Sequence, residues 1–130
     1  MRVAKQDVDV KMEIPGAVLR QKLDFGDASG YAKISCEYFS LAAGVDTTPL
    51  FQGLDGNLCQ CPHWGYVLKG TITTTNATGT QETVRASDLF YWPEGHNVKV
   101  TEDAEIIMFS PQREHSHVID HMRAKVKSMG

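Results

Sequence analysis

From Val8 to Phe109 the chain is a succession of short strand-prone runs cut by turn residues, and a helical period sets in only near the C-terminus. Val8, Val10, Met12 and Ile14 alternate with polar partners until Pro15-Gly16 stops the run. The stretch Tyr31 to Phe39 places Ala32, Ile34, Cys36 and Tyr38 on one face. Ala43 to Pro49 and Gly53 to Asn57 are rich in turn formers and read as loops. Trp64 to Thr75 is β-branched and aromatic, turns at Asn76-Ala77-Thr78-Gly79 and returns as Thr80 to Arg85. Ser87-Asp88, its carboxylate closing the turn, leads into Leu89 to Trp92. After Pro93-Glu94-Gly95, Val98 and Val100 alternate, and Ile106 to Phe109 reads as a buried strand. Strands at this spacing close into a sandwich or small barrel. One amphipathic helix, Glu114 to Lys127, follows, with Val118, Met122 and Val126 as the stripe that covers it.

At 130 residues there is room for one domain, 1–130, without internal repeat or low-complexity linker. Sixteen acidic against thirteen basic residues leave a charge of −3 with no basic cluster, which disfavours nucleic-acid binding. No apolar run reaches the roughly 18 residues of a membrane span. The start, MRVAKQDVDV, lacks the apolar core of a secretory signal, so the expected location is cytoplasmic. The three cysteines, Cys36, Cys59 and Cys61, are then expected to stay reduced, and Asn76-Ala77-Thr78 means a turn rather than a glycosylation site.

The chemistry concentrates in Cys59-Gln60-Cys61-Pro62-His63. In an extended chain, side chains alternate with period two, so residues 59, 61 and 63 would share a face. Two thiols and an imidazole are ligand types that zinc prefers, and His96, just past the Pro93-Glu94-Gly95 turn, is the candidate fourth ligand. The bland reading makes the cysteines small buried hydrophobes and His63 a hydrogen-bonded core histidine.

These segments resemble the two motifs of the cupin superfamily, HxH(x)3–4E(x)6G and G(x)5PxG(x)2H. His63 to Gly70 has the spacing of E(x)6G, with His63 at the glutamate. Ser87 to Gly95 has the spacing of G(x)5PxG, with Ser87 for the first glycine. The resemblance covers residues of about 57 to 110 and implies an all-β, double-stranded β-helix (jelly-roll barrel) with a short C-terminal helix. It also implies a homodimer. The departures are specific: the histidine pair falls on Asn57 and Cys59 with the shorter motif spacing, which is favoured over the longer one that gives Gly56 and Leu58; Cys61 stands where the family has no ligand, and His96 precedes the expected position, Val98, by two residues.

Loss of the carboxylate and gain of thiolates move the preference from iron, manganese or nickel towards zinc. Four ligands, Cys59, Cys61, His63 and His96, would saturate the ion and make a structural or sensing site. If one cysteine points away, a position opens for metal-assisted chemistry, and the resemblance then implies a dioxygenase, isomerase or lyase acting on a small molecule. A metal-free barrel holding a small polar ligand is the third alternative. Among the remaining candidates, His115, His117 and His121 read as a solvated histidine face and Glu94 as solvent-facing. Trp64, Tyr66, Tyr91 and Trp92 suit either a pocket lining or a subunit interface.

Overall fold

The computed structural model describes residues 3–25 and 32–130. Its strands are β1 (Val10–Ile14), β2 (Ala17–Lys22), β3 (Ile34–Leu41), β4 (His63–Asn76), β5 (Gln81–Arg85), β6 (Leu89–Trp92) and β7 (His96–Pro111), and one helix, α1 (Gln112–Met129), follows. They form a 7-stranded sheet in the order β1-β2-β3-β7-β4-β5, with β6 paired to β4. Every pairing is antiparallel. The all-β, jelly-roll expectation with a C-terminal helix holds.

Two of the elements differ from the sequence reading. The runs around Val98 and Ile106 belong to a single strand, β7, whose exposed Thr101, Glu102 and Asp103 disguise its middle. Strand β2 has no counterpart in the reading, because its inward positions are Ala17, Leu19 and the polar Gln21. The second expected strand begins at Tyr31, which lies outside the described residues; the observed one runs Ile34–Leu41.

Long strands β4 and β7 are the frame of the barrel. Their register shifts three times between Val67 and Ile72. Such bulges increase local twist and bend a strand, and β4 pairs with β6 at one end and β5 at the other while β7 runs along its other edge. Gly70 sits in this stretch at φ +87°, and a Cβ there would meet the backbone of Asp103 and Ala104. The apolar core fills the barrel with Leu19, Leu41, Val67, Ile72, Val100, Ile106 and Met108, and α1 adds Val118, Ile119 and Met122.

The turn expected after Ser87 is present: an Asp88 carboxylate oxygen accepts the Arg85 N–H at 2.8 Å. At the β4–β5 tip, Asn76 Oδ1 accepts the N–H groups of Thr78 and Thr80, which closes the expected turn. No helix is long and apolar enough to cross a membrane among the described residues.

Candidate metal centre

Of the four ligands expected from sequence, the fold brings three together. One ligand atom each from Cys59, His63 and His96 lies within 4.8 Å of the others, and all three residues are buried. Cys59 and His96 are joined by an isolated bridge in which the Cys59 N–H donates to the His96 carbonyl at 2.8 Å. His63 opens β4 beside them. Cys59 Sγ stands 3.6 Å from His63 Nε2.

Cys61 is buried too, but it is not in this group. Its thiol faces the carbonyls of Pro62 and Pro111, at 3.3 and 3.9 Å. The shared-face argument requires extended strand geometry, and residues 60–62 belong to no strand. Burial still alternates, with 59, 61 and 63 buried and 60 and 62 half-buried, but the Cys61 thiol points to backbone carbonyls and not to the imidazoles.

The imidazole tautomers follow from the hydrogen bonds. His96 Nδ1 lies 2.7 Å from the Pro93 carbonyl, which only accepts, so Nδ1 carries the proton and Nε2 keeps its lone pair. His63 Nδ1 lies 2.7 Å from Ser110 Oγ. Both rings thus have one nitrogen engaged and the other available to an ion, the usual arrangement for metal-ligating histidines.

A second buried group, Glu37, His63 and His115, adjoins the first and shares its central histidine. Glu37 was not singled out by sequence. The face carrying Ala32, Ile34, Cys36 and Tyr38 is the outer, partly exposed one; the buried face of β3 carries Ser35, Glu37, Phe39 and Leu41. The Glu37 carboxylate is fully engaged there. Ser110 Oγ donates to Oε1 at 2.6 Å, Gln21 Nε2 donates to Oε2 at 3.2 Å, and Ser35 Oγ also donates to Oε2. His115 Nδ1 stands 3.0 Å from Oε1, at ion-pair distance but without hydrogen-bond alignment. A carboxylate so occupied is better suited to orienting its neighbours than to ligating.

His115 also corrects the solvated-face reading of the C-terminal histidines. It faces inward, its ring 4.4 Å from that of His63, while His117 is exposed and His121 Nε2 bonds the Gln52 carbonyl at 2.8 Å. The polar run Gln112–His117 hides this, because the one inward position before Val118 is itself a polar residue.

Burial governs the electrostatics. It pushes the Cys59 thiol up to about 12, and raises Cys61 further with Cys59 and Glu37 adding to it. The pKa of His63 is held well below its ordinary value by burial, then by His115 and His96. Burial lowers His96 as well, against the opposing bond to Pro93. For Glu37 burial is the largest influence and raises its pKa, but His115, Ser110 and Ser35 together outweigh it and hold the carboxyl below its usual range. A neutral, dry thiol is a poor nucleophile; a cation that displaces its proton is what would make Cys59 an anion here.

The three donors stand in the wall of an interior cavity of about 60 Å³, otherwise lined mainly by apolar side chains such as Leu19, Phe39, Leu41 and Met108. His115 and Trp92 also line it, and Trp92 Nε1 is buried without a hydrogen-bond partner. Of the four aromatics singled out by sequence, Trp92 alone reaches this cavity; Trp64 and Tyr91 stack on one another outside, with ring centroids 5.2 Å apart.

No family model matches the chain, and no curated protein sequence does. Solved structures do. The polyketide cyclase RemF from Streptomyces resistomycificus aligns over 85% of this chain and 78% of its own, at 20% identity and a TM-score of 0.58. Ectoine synthase from P. lautus aligns over 85% and 78%, at 14% identity and a TM-score of 0.58. A variant of the Bacillus subtilis oxalate decarboxylase OxdC aligns over 82% of this chain at 19% identity and a TM-score of 0.57, but the chain spans only 28% of that protein. The antiparallel barrel, its terminal helix and the buried Cys/His/Glu cluster inside it give this chain the cupin fold.

Proposed function

We propose that this protein binds one metal ion, preferentially zinc, through Cys59, His63 and His96, with a fourth position open to a small molecule in the barrel cavity. The observation that carries the reading is the donor spacing. Zinc–sulfur and zinc–nitrogen bonds of about 2.3 and 2.0–2.1 Å at a tetrahedral angle set S and N about 3.6 Å apart, and Cys59 Sγ and His63 Nε2 are 3.6 Å apart. A thiolate with two imidazoles suits zinc better than iron, manganese or nickel. With Cys61 turned towards Pro62 and Pro111, the four-ligand, closed alternative loses its support.

Three protein ligands and an open position are the pattern of metal centres that act on a ligand, and a bound zinc would supply Lewis-acid polarisation. The cavity favours a compact, largely apolar molecule with one donor atom for the metal. That combination supports a metal-dependent enzyme over a purely structural site. The test is metal analysis by native mass spectrometry of protein purified without chelator. About one zinc per chain is expected, lost in Cys59→Ala and His63→Ala and kept in Cys61→Ala. Loss of zinc in Cys61→Ala would restore the closed site.

The same reading includes a homodimer. The outer face of β4, β6 and β7 exposes Trp64, Leu89, Tyr91 and Phe109, with Trp64 opposite both Tyr91 and Phe109 in register. Apolar rows of this kind mark contact surfaces. Light scattering is expected to give twice the chain mass, and Leu89→Lys with Trp64→Lys is expected to give the monomer.

A further inference from the structure

We propose that Glu37 is the positioning residue of this metal centre, acting through Ser110 to hold His63 with its proton on Nδ1 and its Nε2 lone pair aimed at the ion. The inference rests on the metal reading above and assigns a role to residues that reading leaves unused.

The direction of the relay is forced by what each group can donate. An ionised carboxylate has no proton to give, so the single hydroxyl proton of Ser110 is spent on Glu37 Oε1, at 2.6 Å. Ser110 Oγ can then only accept from the ring, and His63 Nδ1, at 2.7 Å, is the donor. What remains on His63 is the Nε2 lone pair, which lies 3.6 Å from Cys59 Sγ. The Cys59 thiol, 3.6 Å from Nε2, favours the same tautomer only while it keeps its proton, so the relay is what holds the proton on Nδ1 once a cation replaces that of the thiol.

The strand register builds the relay. Ser35 of β3 lies opposite Ser110 of β7, and His63 of β4 is one residue beyond the Trp64–Phe109 pair. Ser35, Ser110 and His63 therefore form one row across three neighbouring strands. Glu37 lies two residues along β3 from Ser35 and on the same face. Gln21 of β2 and Ser35 hold its other oxygen, and His115 of α1 stands beside the first. A carboxylate fixed by three strands and a helix has little freedom to release Ser110. Metal-ligating histidines commonly lean on such an outer carboxylate, and removal of that support typically costs about 10- to 100-fold in metal affinity.

The experiment joins two measurements on the full chain. Nitrogen-15 NMR of the His63 ring in metal-free protein reads the tautomer directly. Zinc competition against a chromogenic chelator reads affinity for wild type, Ser110→Ala, Ser110→Thr and Cys59→Ala. The expected result is Nδ1–H in metal-free wild type, zinc affinity lower by about 10- to 100-fold in Ser110→Ala, and recovery in Ser110→Thr, which restores the hydroxyl. Nε2–H in wild type, or wild-type affinity in Ser110→Ala, overturns the positioning role while the metal site stands. Zinc affinity that is negligible in wild type, or unaffected by Cys59→Ala, overturns the metal reading and the positioning role with it. The tautomer measurement needs no variant, so a poorly folding Ser110→Ala does not shield the proposal.

Discussion

Single atoms separate the two cysteines that flank Gln60. Both are buried and both thiols face backbone carbonyls, yet only Cys59 Sγ also lies near a histidine nitrogen. Cys61→Ala is therefore expected to keep its zinc and to lose only packing, on the order of 1 kcal/mol for a small buried side chain, read by urea unfolding. Histidine burial sets a pH dependence whose sign is fixed. His63 and His96 have folded pKa values below the ordinary imidazole value, so the unfolded chain takes up protons at a pH where the folded barrel does not. Stability of the metal-free protein should be complete above a pH of about 6.5 and fall as pH drops from there towards the folded values. Glu37, also lowered, acts in the same direction at lower pH. Urea midpoints compared at neutral pH and at about 5.5 check this, and an equal or higher midpoint in acid would contradict it. Among the glycines, Gly70 combines a left-handed φ with contact against the Asp103 backbone. Gly70→Ala is expected to cost at least about 2 kcal/mol, from strain and overpacking together.

At the scale of elements, sequence pattern located most strands and the helix but misjudged two faces. Strands β4 and β6 were expected nearly where they lie, because β-branched and aromatic runs bounded by turns have few other uses. Alternation misled where the barrel interior is polar. On β3 the visible apolar parity, Ile34, Cys36 and Tyr38, faces outward, and Ser35 and Glu37 are buried because Gln21, Ser110 and His115 satisfy them. On α1 the stripe Val118, Met122 and Val126 was legible, whereas His115, on the same inward side, was not. This helix seals the barrel, and Ile119, at 2% exposure, is deep in the seal. Ile119→Ala should therefore destabilise by about 2–5 kcal/mol, whereas His117→Ala, on the exposed side, should leave the unfolding midpoint unchanged. Chemical denaturation of the two variants side by side makes the comparison.

The whole molecule is a barrel whose one polar wall lies against an apolar cavity. A ligand that binds only the folded state stabilises it by mass action, by about 2.7 kcal/mol when free zinc is a hundred times its dissociation constant. Adding zinc to chelator-treated protein should raise the melting temperature in the wild type and not in Cys59→Ala, as scanning calorimetry would show. What the amino-acid order determined by itself is local: turn chemistry, strand spacing, the terminal helix, and the clustering of Cys59, Cys61 and His63 with His96 about thirty positions on. Those follow from backbone preferences and side-chain period, which act over a few residues. Which of the cysteines joins the histidines, and that Glu37 and His115 stand behind them, was decided only by closure of the barrel. The contacts between β3, β7, β4 and α1 span up to 78 positions, as from Glu37 to His115. No local period encodes a contact at that separation, and a buried carboxylate is recognised only when the partners that satisfy it are in place.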